Sequence, residues 1–295
     1  MSRIVIFSFV LFSCVGEAVS QIPTSYSIGN SLTAQMRPDN VPNAFSHIAC
    51  GRNLQQIFEN PEYTSNDTTY YVTAAFTDQQ FDFVFAQPFH GTSLEQDRDV
   101  ISHWVALQPH AVFVINSAWT YWELFPGIYE EGNPNDLMRV SPEYMQALID
   151  ELKQLHPTTD FRQTKINQMF YRIYTDSQAG LSPFSYEDMQ QDNIHTNALG
   201  QYLAHNSMRY IMGAPHWATG VFDITDEDRA YLDDLLWEFV VVPGDFDRDG
   251  AVTLLDIQPF IERLSSSAPW MDADLNRDGI VNLQDVPEFI DLLTN

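Results

Sequence analysis

Cysteine is almost missing from this chain of 295 residues; the two present are Cys14 and Cys50. Cys14 falls inside an apolar N-terminal run, so a processed chain would keep Cys50 alone and hold no internal disulfide. Folding must then rest on burial of apolar surface. Cys50 reads as a small buried thiol rather than a nucleophile. Positive charge is scarce as well: 14 Lys+Arg stand against 40 Asp+Glu, a formal net charge of -26. That excess repels phosphate backbones and anionic lipid surfaces, which argues against nucleic acid or a charged membrane as partner. Long apolar runs are missing too. The run over residues 4–15 falls short of the roughly 20 residues that a membrane-spanning helix needs.

What is present begins with a leader. Arg3, the apolar run and the small-x-small site Ala18-Val19-Ser20 are the pattern of a secretory signal over residues 1–20. The expected location is secreted, extracellular or periplasmic. Leu11-Phe12-Ser13-Cys14 also approaches a lipobox, which would anchor the chain through Cys14. The full chain is 44% hydrophobic and 18% charged, ample for a packed core.

Residues 21–240 alternate apolar, strand-like runs with amphipathic helical ones, the signature of an α/β layered fold. Strands are expected at 26–29, 70–75, 81–86 and 111–116, and helices at 95–107, 142–155, 197–211 and 226–239. Ser141-Pro142 and Thr225-x-x-Asp228 supply helix starts. The stretch 161–174 is open between strand and helix.

From residue 243 the sequence changes character. Asp245-Phe-Asp247-Arg-Asp249-Gly250 returns as Asp274-Leu-Asn276-Arg-Asp278-Gly279, the glycines 29 positions apart. Each copy reaches an Asp at loop position 12, Asp256 and Asp285. A calcium ion takes six to eight oxygens, which this spacing supplies from positions 1, 3, 5 and 12 and from the carbonyl at position 7. Those carbonyls belong to Ala251 and Ile280. Two structural Ca2+ ions are expected, and an apolar helical pattern follows each loop. The duplicated loops ending in Asp resemble a dockerin domain over residues 243–295. The resemblance implies a cohesin-like or cell-surface partner, although Leu254, Leu255 and Leu283 stand where partner-reading polar residues often occur.

Two short motifs carry the chemistry of the larger region. Ser27-Ile28-Gly29-Asn30-Ser31-Leu32-Thr33 reads as a strand ending in a small-residue turn, which would present the Ser31 hydroxyl at the mouth of a sheet. Asp192-Asn193-Ile194-His195 places a carboxylate three residues before an imidazole. Together they offer a nucleophile, a general base and an orienting acid, the parts needed for ester hydrolysis. The two motifs resemble blocks I and V of the SGNH (GDSL-like) hydrolase superfamily over residues 24–212, with Asn30 where the better-known form has Asp. The resemblance implies a three-layer α/β/α sandwich around a parallel sheet and a triad of Ser31, His195 and Asp192, with no catalytic cofactor. It implies an oxyanion hole from the N–H groups of Ser31 and Gly51 and a side-chain amide. The block III Gly-x-Asn-Asp is absent; Gln87 takes its place, with Asn116 in reserve.

The expected function is a secreted serine esterase acting on an acyl or acetyl ester, with a polysaccharide as candidate substrate. The alternatives are a non-catalytic extracellular binding or assembly protein on the same scaffold, and a lipolytic enzyme for longer acyl chains. Trp119, Tyr121 and Trp122 are open between a sugar-stacking wall and core packing. His90, close after Gln87, stands apart from the other histidines, which read as surface or packing residues.

Overall fold

The computed structural model describes residues 22–65, 68–215, 221–248, 251–266, 268 and 270–294. The leader with Cys14, and Asp249, Gly250 and His216, lie outside the described residues. Five parallel strands form one sheet in the order β2-β1-β3-β4-β5. They are β1 (Ser25–Gly29), β2 (Ala44–Ile48), β3 (Phe83–Ala86), β4 (Val112–Ile115) and β5 (Phe161–Gln163).

Alternation along these strands divides the apolar residues between two faces. Phe83, Phe85 and Val114 face one core cluster. That cluster is closed by α1 (Ser31–Gln35), α5 (Phe125–Glu131), α7 (Ile166–Ala179), α8 (Ala198–Ile211) and α9 (Asp226–Phe239). Tyr26, Ile28, Val84, Ala86, Phe113 and Ile115 face the other. There α2 (Leu54–Glu59), α3 (Val72–Asp78), α4 (Leu94–Leu107) and α6 (Pro142–Leu155) cover the sheet. The result is a three-layer α/β/α sandwich with a buried parallel sheet.

Local chemistry fixes the helix starts. Ser93 and Gln96 form a reciprocal capping box on α4, Ser141 with Pro142 opens α6, and Thr225 accepts from Asp228 N at α9. The 70–75 segment differs from its expected strand. Tyr71 is the N-cap of α3, and Val72, Ala75 and Phe76 put a helical stripe on the sheet. The 161–174 stretch contains both elements, separated at Lys165, which takes a left-handed φ of 55°.

A third apolar cluster holds the tail together, with Phe246, Phe260, Trp270 and Phe289 at its centre. Helices α10 (Ile257–Ser265) and α11 (Val286–Thr294) follow the two acidic loops. The tail packs on the sandwich. Arg162 donates to the carbonyl of Arg248 at 3.0 Å, and Arg248 lies over the Tyr210 ring while bonding Asp272 at 3.0 Å. Val242 N donates to the Tyr210 hydroxyl at 2.9 Å, and Arg277 pairs with Asp234 of α9 beside Trp237. Among the described residues no helix is long and apolar enough to cross a membrane.

Candidate active site

Asn30, Gly51, Gln87 and Asn116 follow the carboxyl ends of β1, β2, β3 and β4, where open α/β sheets present their clefts, and the loop carrying Asp192 and His195 precedes α8. β1 ends at Gly29, and the next residue, Asn30, caps α1 by accepting from Leu32 N at 3.0 Å. Ser31 is therefore the first residue of a helix, held by its own neighbour. Gly29 is needed for this turn, because a Cβ there would collide with the side chains of Thr33 and Gln87.

The opposite wall is the loop 190–196, closed by a bridge between Gln190 and Thr196. Asp192 Oδ1 accepts from Ile194 N at 2.9 Å and His195 N at 2.7 Å, folding the loop around the carboxylate. Its Oδ2 lies 2.7 Å from His195 Nδ1, and His195 Nε2 lies 2.9 Å from Ser31 Oγ. The structure thus brings Ser31, His195 and Asp192 into one hydrogen-bonded line. The His195 backbone and ring N–H groups, with that of Ile194, lower the Asp192 carboxyl to about 2. An ionised carboxylate can only accept, so the proton sits on Nδ1 and leaves Nε2 to accept from the serine.

Neighbouring segments anchor this loop. Trp119 Nε1 donates to the Ile194 carbonyl at 2.6 Å and Trp122 N to that of Asn193 at 3.2 Å. Gln35, at the end of α1, accepts from Thr196 N at 2.8 Å. Trp119 and Trp122 are 1% and 2% exposed and pack on Phe170, so of the three aromatics only Tyr121 stands on the surface. Core packing is their observed use.

The amide residues have other work. Gln87 Nε2 donates to Asn30 Oδ1 at 3.1 Å, while its Oε1 accepts from the Thr33 hydroxyl. Asn116 Nδ2 faces Met36 Sδ and Thr33 Oγ1, and its Oδ1 accepts from Thr164 at 3.2 Å. Both are buried struts behind the nucleophile turn. Gly51 occupies an exposed turn closed by Arg52 N on Ala49 O, with φ of +71° that an L side chain would strain. Cys50, in the same turn, is exposed rather than buried, its thiol donating to Ser65 Oγ at 3.2 Å. It lies beyond the end of β2, where the core no longer covers it. His90 packs against Phe89. His47 is buried against the Tyr63 carbonyl, and that burial pushes its pKa down. His205 is buried with Nδ1 on the Met36 carbonyl.

Of the candidates in the first acidic loop, Asp245, Asp247 and Asp256 put carboxylate oxygens within 4.8 Å of one another. Asp256 is fully buried, its oxygens accepting from Phe246 N, Asp247 N and Thr253 N. Asp249 is outside the described residues, and Ala251 lies just beyond that gap. In the second loop Asp274 accepts from Asp278 N and Gly279 N, and buried Asp285 accepts from Asn276 N and Asn282 N. Burial, then the charges of Asp285 and Asp278, raise the Asp274 carboxyl. The Ile280 carbonyl accepts from the Asn282 amide at 3.2 Å. Among the described residues the three converging carboxylates of the first loop, with only oxygen donors, fit a hard divalent cation.

Residues 243–293 match the Dockerin type I domain. No curated protein matches the chain. Among solved structures, a DUF4886 family protein from Bacteroides uniformis is 12% identical, covering 74% of this chain and 95% of that one at a TM-score of 0.47. A protein from Parabacteroides merdae described as a GDSL-like lipase is 13% identical, covering 65% and 96% at a TM-score of 0.40. A two-domain esterase active on acetylated mannans is 12% identical, covering 64% and 48% at a TM-score of 0.37.

Proposed function

We propose that this chain is an exported serine esterase that removes an acyl group, such as acetyl, from a carbohydrate, carried on a calcium-stabilised attachment module. The observation that carries the proposal is the line from Ser31 Oγ through His195 to Asp192, with contacts of 2.9 and 2.7 Å. Ser31 Oγ attacks the ester carbonyl carbon while His195 Nε2 takes its proton. The tetrahedral intermediate collapses, the C–O bond to the alcohol breaks, and His195 returns the proton to the leaving oxygen. Water then repeats the sequence on the acyl-serine and frees the acid. Asp192 stays ionised throughout and holds the imidazole tautomer.

The developing oxyanion is assigned to the backbone N–H groups of Ser31 and Gly51. Gln87 joins them only by exchanging its bond to Asn30 for one to the substrate oxygen. No metal takes part in this chemistry. In the tail, two Ca2+ ions held by Asp245, Asp247, Asp249, Ala251 and Asp256 and by Asp274, Asn276, Asp278, Ile280 and Asp285 would offset carboxylate repulsion and close the loops. The Dockerin type I match supports reading residues 243–295 as a module that docks on a cohesin-like or surface partner, and the carbohydrate substrate is inferred from that setting. The boundary between the two domains is placed at residues 240–243.

Hydrolysis of p-nitrophenyl acetate tests the proposal. The wild type is expected to turn over, and Ser31→Ala to lose roughly 10⁴-fold or more in kcat. Equal rates in both proteins would instead leave a non-catalytic binding scaffold.

A further inference from the structure

α1 carries two functional groups one turn apart. Ser31 at its first position touches His195 Nε2, and Gln35 at its last accepts the backbone N–H of Thr196, the residue after that histidine, at 2.8 Å. Positions i and i+4 share one helix face, so nucleophile and amide meet the same loop at consecutive residues. Thr196 is itself fully buried, and its hydroxyl donates to the Met189 carbonyl at 2.9 Å. The Thr196 carbonyl accepts from Gln201, whose side-chain oxygen takes a bond from Arg37, also close to α1. On the far side, Trp119 fixes the Ile194 carbonyl. His195 thus lies between two pinned neighbours, Ile194 and Thr196.

Resting on the esterase reading above, we propose that Gln35 is a positioning residue for catalysis. It ties the histidine loop to the nucleophile helix and so sets the Ser31–His195 separation. Gln35 does not reach the reacting atoms; it acts through Thr196. Motion of α1 then carries serine and histidine together, and the 2.9 Å contact survives shifts that would separate independently mounted groups. The role requires only an acceptor at Oε1, so a carboxylate serves where an apolar isostere does not.

The test compares Gln35→Met, which keeps length and loses the acceptor, with Gln35→Glu, which keeps it. Gln35→Met is expected to lower kcat on p-nitrophenyl acetate roughly 10- to 100-fold with KM little changed, as misplacement of a catalytic group does. Gln35→Glu is expected to restore most of that loss. Amide hydrogen exchange over residues 190–197 supplies a readout independent of turnover: faster in Gln35→Met, near wild type in Gln35→Glu, with thermal midpoints alike. Wild-type kcat and wild-type exchange in Gln35→Met would overturn the proposal. So would equal losses in both variants, which would mark a packing role. If Ser31→Ala matches an active wild type, the esterase reading fails, while the exchange result still decides whether Gln35 holds the loop.

Discussion

Asp192 is half exposed at its side chain, yet three hydrogen bonds from its own loop hold its carboxyl near 2. Because that value lies below the ordinary carboxylate range near 3.9, the stability it contributes is complete above about pH 4 and is lost as pH falls through 2. Solvent screening keeps the contribution small at such an exposed site. Asp192→Asn is expected to flatten the acid end of a circular-dichroism stability curve slightly. Its effect on activity is larger: the amide can present N–H to Nδ1 and reverse the tautomer, which should lower kcat by roughly 10³- to 10⁴-fold. Unchanged turnover would detach Asp192 from the mechanism. The Asp192–His195 contact was legible in the sequence because three residues of spacing close it locally. The partners of Gln87 were not, since Asn30 and Thr33 lie more than 50 residues away along the chain and only the β1–β3 pairing brings them near.

At the scale of elements, Gly200 in the first turn of α8 lies against Thr196, and a Cβ would overlap the Thr196 hydroxyl. Gly200→Ala is expected to cost about 1–3 kcal/mol, visible as a thermal midpoint lower by several degrees. Because Thr196 carries the histidine loop, kcat should fall more than that loss of stability implies; a midpoint shift with kcat intact would confine Gly200 to packing. Helices α6 and α9 were legible from their caps, where Ser141 and Thr225 state the boundary locally. The 70–75 segment was not. Its aromatic and β-branched residues favour a strand, but the stripe Val72, Ala75, Phe76 finds a place on the sheet and tertiary packing overrides the propensity. β5 has only three residues before Lys165 turns the chain, too short to print an alternation.

Across the whole molecule, the tail depends on groups that repel one another. Buried Asp256 and Asp285 each gather backbone N–H groups of their own loop, and the other acidic side chains of that loop crowd towards them. Chelation with EGTA is expected to expose Trp270 and open residues 243–295 to protease, while the sandwich keeps its thermal transition. A Trp270 environment indifferent to chelator would refute calcium as the staple. The repeat was legible at this scale because two acidic loops of the same spacing, each ending in an Asp at loop position 12, stand out in the sequence, and residues 243–293 match the Dockerin type I domain. How the tail sits on α8 and α9 was not, because Arg248 and Arg277 look in the sequence like ordinary solvated charges within an acidic loop.

That seating determines aim. Pinned through Tyr210, Arg162 and Asp234, the tail resembles a bracket more than a tether, with little slack for the head to swing. Whatever grips the tail would also choose the direction in which the mouth of the sheet points. The esters within reach would then be those that the mount brings past it, and lengthening the 240–244 joint should widen that field without altering turnover on a small soluble ester.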